Sequence, residues 1–131
     1  MPILNLKISG IENPKLTQIV VNRLTKITEK ELNKKPEVTA ITVNYIKENN
    51  WFVNREHLEK LKLKSFYLDI KITDSTNLKQ EKESYIKYVF ELMSELLGSI
   101  HNESYVYIEE VKADSYGYGG KTQEFRYIKS K

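Results

Sequence analysis

Two β-α-β units in tandem, sharing one four-stranded mixed sheet with both helices on the same face, form the α+β architecture that this sequence predicts. Three observations predict it. Strand-like alternation begins at the second residue; two amphipathic helical patterns each lie between strand-like segments; and the first half of the chain lies over the second at an offset of 64 to 65 residues.

The first strand is read from Pro2 to Ile8, where Ile3, Leu4, Leu6 and Ile8 supply branched residues. Asn13-Pro14 then gives a cap followed by proline in the first turn, and Leu16, Ile19, Val20, Leu24 and Ile27 recur at helical spacing towards Leu32. Lys35-Pro36 ends that helix. Thr39 to Ile46 alternates in a β-rich composition before the polar turn Lys47 to Asn50, with Trp51-Phe52-Val53 beyond it. The order then repeats. Phe66 to Thr73 is a strand, Asn77 caps a helix carrying Tyr85, Ile86, Val89, Phe90, Met93, Leu96 and Leu97, Gly98 closes it, and Tyr105 to Val111 is a strand again.

The repeat is visible in residues too. PILNLKI (Pro2 to Ile8) lies over FYLDIKI (Phe66 to Ile72), and Ala40 to Lys47 lies over Tyr105 to Lys112, which sets Trp51 opposite Tyr116 and Val53 opposite Tyr118. Residues 1–131 are therefore read as a single domain made of two units, about 2–60 and 65–125. Parallel strands joined by a helix cross over right-handedly, which puts both helices on one side of the shared sheet, and the two units pack antiparallel. The other sheet face has no cover within the chain. Leu4, Leu6, Leu68, Ile70, Val43 and Val106 are expected to leave it apolar, so that a symmetric oligomer buries it.

Composition excludes several classes of function. Eighteen acidic residues are interspersed among 21 basic ones, of which only Arg23, Arg55 and Arg126 are arginines, and the net charge of +3 forms no basic stripe; no nucleic-acid partner is expected. No apolar run spans a bilayer and no leader pattern opens the chain, so no membrane partner and a cytoplasmic address are expected, with the sequon at Asn102 irrelevant there. With no cysteine, and with His57 and His101 far apart in polar stretches, no metal site and no cofactor are expected. Gly117, Gly119 and Gly120 lack the spacing of a phosphate loop and read as a tight hairpin.

Pro2 is the candidate with chemistry. Removal of Met1 turns it into a secondary amine. Burial against apolar walls or nearby cations pulls an α-amino group below its usual value of about 8 and leaves it neutral, as a general base requires. Phe66, its counterpart in the second unit, is internal and has no free amine. Arg55 is a candidate carboxylate clamp, because a planar guanidinium grips a carboxylate with two hydrogen bonds.

Met1-Pro2 opening a strand, the β-α-β repeat and the terminal Tyr116-Gly117-Tyr118-Gly119-Gly120 resemble the tautomerase superfamily, which includes 4-oxalocrotonate tautomerase and macrophage migration inhibitory factor. The resemblance covers nearly the whole chain and is greatest to fused members, in which two short units form one polypeptide. It implies a homotrimer and an isomerase that moves a proton between keto and enol forms of a small 2-oxo acid or related enol, with Pro2 as catalytic base. It also implies substrate contacts from Lys35, from Tyr107 of a neighbouring subunit, and from Trp51 and Tyr116 as aromatic walls. The two substrate-binding arginines of 4-oxalocrotonate tautomerase have no counterpart, Glu12 falling close to one of them, and Arg126 is the remaining candidate. The same resemblance leaves open a non-catalytic trimeric binding or scaffold protein, or a proline-dependent hydratase, dehalogenase or decarboxylase.

Overall fold

The computed structural model describes residues 1–130. The elements are β1 (Ile3–Ser9), α1 (Pro14–Leu32), β2 (Ala40–Ile46), β3 (Phe52–Val53), β4 (Glu56–His57), α2 (Leu58–Leu61), β5 (Phe66–Thr73), α3 (Lys79–Leu97), β6 (Tyr105–Val111), β7 (Gly117–Tyr118), β8 (Lys121–Thr122) and α4 (Gln123–Lys129). From α1 onwards the second half repeats the first 65 residues later: α1 maps onto α3, β2 onto β6, and the hairpin β3-β4 onto β7-β8. The short helices α2 and α4 extend the two hairpins and lie outside the periodic patterns read from sequence. Among the described residues no helix is long and apolar enough to cross a membrane.

The sheet runs in the order β2-β1-β5-β6. β1 pairs in parallel with β2, and β5 with β6, as each helical crossover requires, while β1 and β5 run antiparallel at the centre. In that central pair Leu4 faces Ile70, Leu6 faces Leu68 and Asn5 faces Asp69. Asn5 and Asp69 are also 64 apart, so the approximate twofold axis relating the two units passes through their pairing.

Local chemistry sets the helix ends. Asn13 accepts the Leu16 N–H at 3.1 Å with Pro14 in the first turn, and Asn33 ends α1 in the left-handed conformation at φ 57°. The start of α3 lies one residue later than the sequence suggests. Leu78 is its first flanking residue, and its N–H is accepted by the Glu81 carboxylate at 2.6 Å; Asn77 instead ties the two units together by donating to the Leu32 carbonyl at 2.9 Å. Val20, Leu24, Thr28 and Leu32 bury the inner stripe of α1, and Tyr85, Val89, Leu92 and Met93 that of α3. Ile19 and Ile86, expected on these stripes, are 46% and 42% exposed.

The strands supply the other half of the core, and here the reading of the sheet faces is corrected. Leu4, Leu6, Leu68 and Ile70 are buried beneath the helices, with Val43 and Val106 packed against the same cluster. An amphipathic strand has one apolar face, and the helices take it. The uncovered face is polar: Asn5 accepts from the Thr42 hydroxyl, and Lys71 pairs with Asp69 at 2.9 Å and Glu109 at 3.9 Å.

One buried polar contact joins the helices. The Thr28 hydroxyl donates to the Leu24 carbonyl at 2.8 Å and accepts from the Tyr85 hydroxyl at 2.8 Å, so both groups are satisfied although fully buried. Burial drives the Tyr85 hydroxyl pKa far upward and keeps it a neutral donor. Tyr85→Phe is expected to cost about 1 kcal/mol in urea denaturation. An unchanged midpoint would remove this bond from the account of stability.

Candidate functional site

Pro2 sits at the mouth of the sheet, immediately before β1, where the Ala40 N–H donates to its carbonyl at 3.2 Å. That bond continues the β1-β2 ladder by one residue and fixes the proline against the start of β2. A cleft of about 460 Å³ opens beside it. One wall is the turn Pro36–Val38 that feeds β2, and the other is the hairpin that follows β6. Because β5 and β6 run opposite to β1, the chain leaving β6 returns to the Pro2 end and delivers Tyr116 there.

The hairpin is built by its glycines. Gly119 and Gly120 take φ of 61° and 78°, the two left-handed positions of a tight two-residue loop. At Gly117 a Cβ would lie 2.0 Å from the Lys121 carbonyl oxygen, so no other residue lets the two arms close. The Tyr116 hydroxyl lies 3.1 Å from the Lys71 carbonyl and also reaches that of Met1. Burial raises its pKa, so it remains protonated and able to donate.

The electrostatics of the cleft favour a neutral amine. Burial, and after it the charge of Lys34, lowers the terminal ammonium on Met1 from 8.0 to about 6. Lys34 is itself buried. Its ammonium donates to the Thr76 hydroxyl at 3.0 Å, and its pKa is lowered by burial, with Glu81 opposing. Asn77 and Glu81, on the loop and first turn after β5, complete this layer by a 3.2 Å hydrogen bond. The second unit therefore holds the ammonium whose charge acts on the chain's amino terminus.

Among the residues singled out in the sequence, the chain brings together Pro2 and Tyr116. Lys35 is exposed at the start of the turn beside the cleft, where its carbonyl accepts from the Thr39 hydroxyl at 2.7 Å. Trp51 lies at the opposite end of the sheet, lining a different cleft. Arg55 stands exposed at the tip of the first hairpin, and Tyr107 is 51% exposed on the open face of β6. Arg126 stacks on the Tyr118 ring at 3.8 Å and donates to the Tyr118 carbonyl at 2.8 Å, which brings one arginine to the hairpin bordering the Pro2 cleft. Lys34 is the residue that sequence reasoning passed over in favour of its neighbour. The signal was Asn33: a left-handed cap turns the next residue back onto the helix end, while the residue before Pro36 is held extended and outward.

No protein-family model and no curated protein sequence matches the chain. Solved structures do. A fused 4-OT asymmetric trimer superposes with a TM-score of 0.82 over 95% of this chain and 98% of its own, at 14% identity. The chain has the tautomerase fold. A fused 4-OT symmetric trimer shares this tautomerase fold at a TM-score of 0.80, 12% identity, and 93% and 96% coverage. A macrophage migration inhibitory factor-like protein from Entamoeba histolytica shares it at 0.75, 19% identity, and 92% and 97% coverage. A further tautomerase-fold structure, solved after inactivation by 2-oxo-3-pentynoate, superposes at 0.82 with 7% identity over 95% of this chain and 98% of its own. Identities this low carry the likeness of fold and leave the chemistry to be argued from the residues themselves.

Proposed function

We propose that this chain is a tautomerase, an isomerase in which Pro2, freed by removal of Met1, carries a proton between oxygen and carbon of a small 2-oxo acid or related enol. The observation that supports the proposal is the placing of the chain's amino terminus: Pro2 lines the cleft, and the ammonium on Met1 is lowered by burial and then by the charge of Lys34, surroundings that favour a neutral amine. In the reaction the Pro2 nitrogen takes the enol hydroxyl proton; as the oxygen lone pair forms the carbonyl, the enol double bond takes the same proton from nitrogen at carbon. No co-reactant is consumed. Tyr116 lines the cleft, and its hydroxyl, turned from the Lys71 carbonyl, supplies a donor for the oxygen on which charge develops. A 2-oxo acid substrate is supported by the tautomerase-fold relative that 2-oxo-3-pentynoate inactivates.

The anionic end of the substrate falls to Lys35 at the cleft rim, with Arg55 and Tyr107 supplied by a neighbouring copy, because neither reaches Pro2 within one chain, while Trp51 stays with the cleft at the other end of the sheet. This division of the site supports a homotrimer, the assembly of the fused relatives. It also gives a use to the two edge strands β2 and β6, whose outer backbone groups are left unpaired by the four-stranded sheet.

The test is the pH dependence of phenylenolpyruvate ketonisation. A cationic acid whose pKa is lowered is neutral above the lowered value, so kcat/KM is expected to rise through one ionisation below pH 8 and then hold level. Lys34→Met is expected to move that rise to higher pH by less than about one unit, since burial remains the larger cause. A rate that instead falls over this range would make the protonated amine the working form and sink the base role.

A further inference from the structure

The end of the sheet opposite Pro2 holds a second cleft, of about 700 Å³. It is the first cleft repeated. Tyr67, Tyr105 and Trp51 stand where Ile3, Ala40 and Tyr116 stand in the other unit, at the offsets of 64 and 65 that relate the two halves. The base is what the copy lacks. Phe66 replaces Pro2, its nitrogen is locked in a peptide bond, and its ring is fully buried in the core.

A cleft relieved of chemistry is free to fill with its own side chains, and this one has not done so. Tyr105 is 57% exposed, and Trp51 and Tyr67, also lining the cleft, are half-buried. Lys7 adds the one cation among the residues lining it, its ammonium 5.8 Å from the centre of the Tyr67 ring. No ion pair to Lys7 is formed among the described residues. The one acid in the cleft, Glu103, is already engaged by the Tyr105 hydroxyl. Aromatic side chains beside an ammonium that is in no ion pair suit a flat anion.

We infer that this cleft is a second, non-catalytic ligand site for a small aromatic carboxylate, its ring among the aromatic side chains and its carboxylate on Lys7. The site does not depend on Pro2 or on the tautomerase reading. Trp51 is the chain's single tryptophan, so its fluorescence reports this cleft. Titrating the full-length protein with benzoate is expected to give a saturable change in Trp51 emission. Lys7→Met is expected to weaken it by about tenfold, the scale of one charge-assisted hydrogen bond. Tyr116→Ala, which alters only the Pro2 cleft, is expected to leave it unchanged, and benzyl alcohol, which has the ring without the charge, to give no saturable change. The inference is overturned by the absence of a saturable benzoate signal, by one indifferent to Lys7, by an equal response to benzyl alcohol, or by one lost in Tyr116→Ala.

Discussion

Pro2→Ala is expected to lower kcat/KM for phenylenolpyruvate or 2-hydroxymuconate by about 10²- to 10⁴-fold, the usual contribution of a positioned acid–base group. The loss comes from the nitrogen. A primary amine on a freely rotating alanine has neither the ring that fixes the lone pair towards the cleft nor the same basicity, whereas the rest of the site is untouched. Circular dichroism and thermal unfolding are expected to stay close to the parent, because β1 begins at Ile3 and the Ala40 N–H bonds to the carbonyl of residue 2, which any residue supplies. Retained turnover in the variant would remove Pro2 from the chemistry while leaving the fold assignment intact.

The position 64 residues later carries the opposite expectation. Phe66→Ala should cost about 3–5 kcal/mol of stability, the range for deleting a fully buried aromatic ring. The ring packs 6.2 Å from that of Phe90, and the sheet and α3 close over it, so the cavity has little room to collapse. Phe66→Leu should cost clearly less, because it refills most of the volume. Urea denaturation measures both. A cost under about 1 kcal/mol for the alanine variant would mean that the surrounding core relaxes into the space. The pair of predictions separates the halves of the duplication: at the same place in the fold, one unit is proposed to use its residue for reactivity, and the other buries its residue in the core.

The architecture was legible because it is written in periodicity. Caps at Asn13 and Gly98, the proline at position 14 and the repeat at 64 to 65 residues are local signals, and each is found in the structure at its place. Strand polarity was legible in the same way but was assigned to the wrong side. Leu4, Leu6 and Ile8 alternate with Asn5 and Lys7, and one apolar face per strand cannot serve both the helices and an oligomer. The candidate site was legible in part. Pro2 and Tyr116 are found together because both follow from the repeat and the antiparallel docking of its units. Trp51 and Arg55 belong to the other end of the sheet by the same geometry, which residue-by-residue reading does not apply. The choice between Lys34 and Lys35 depends on a single left-handed residue, whose effect on the direction of the next side chain has no periodic signature.

The contact between the Tyr116 hydroxyl and the Met1 carbonyl gives the initiator residue a meaning beyond its loss. A polypeptide trimmed to its second residue no longer has that carbonyl, which leaves the Lys71 carbonyl, 3.1 Å away, as the partner of the phenol. On the proposed reading, one excision by an aminopeptidase both creates the secondary amine and redirects the phenol beside it.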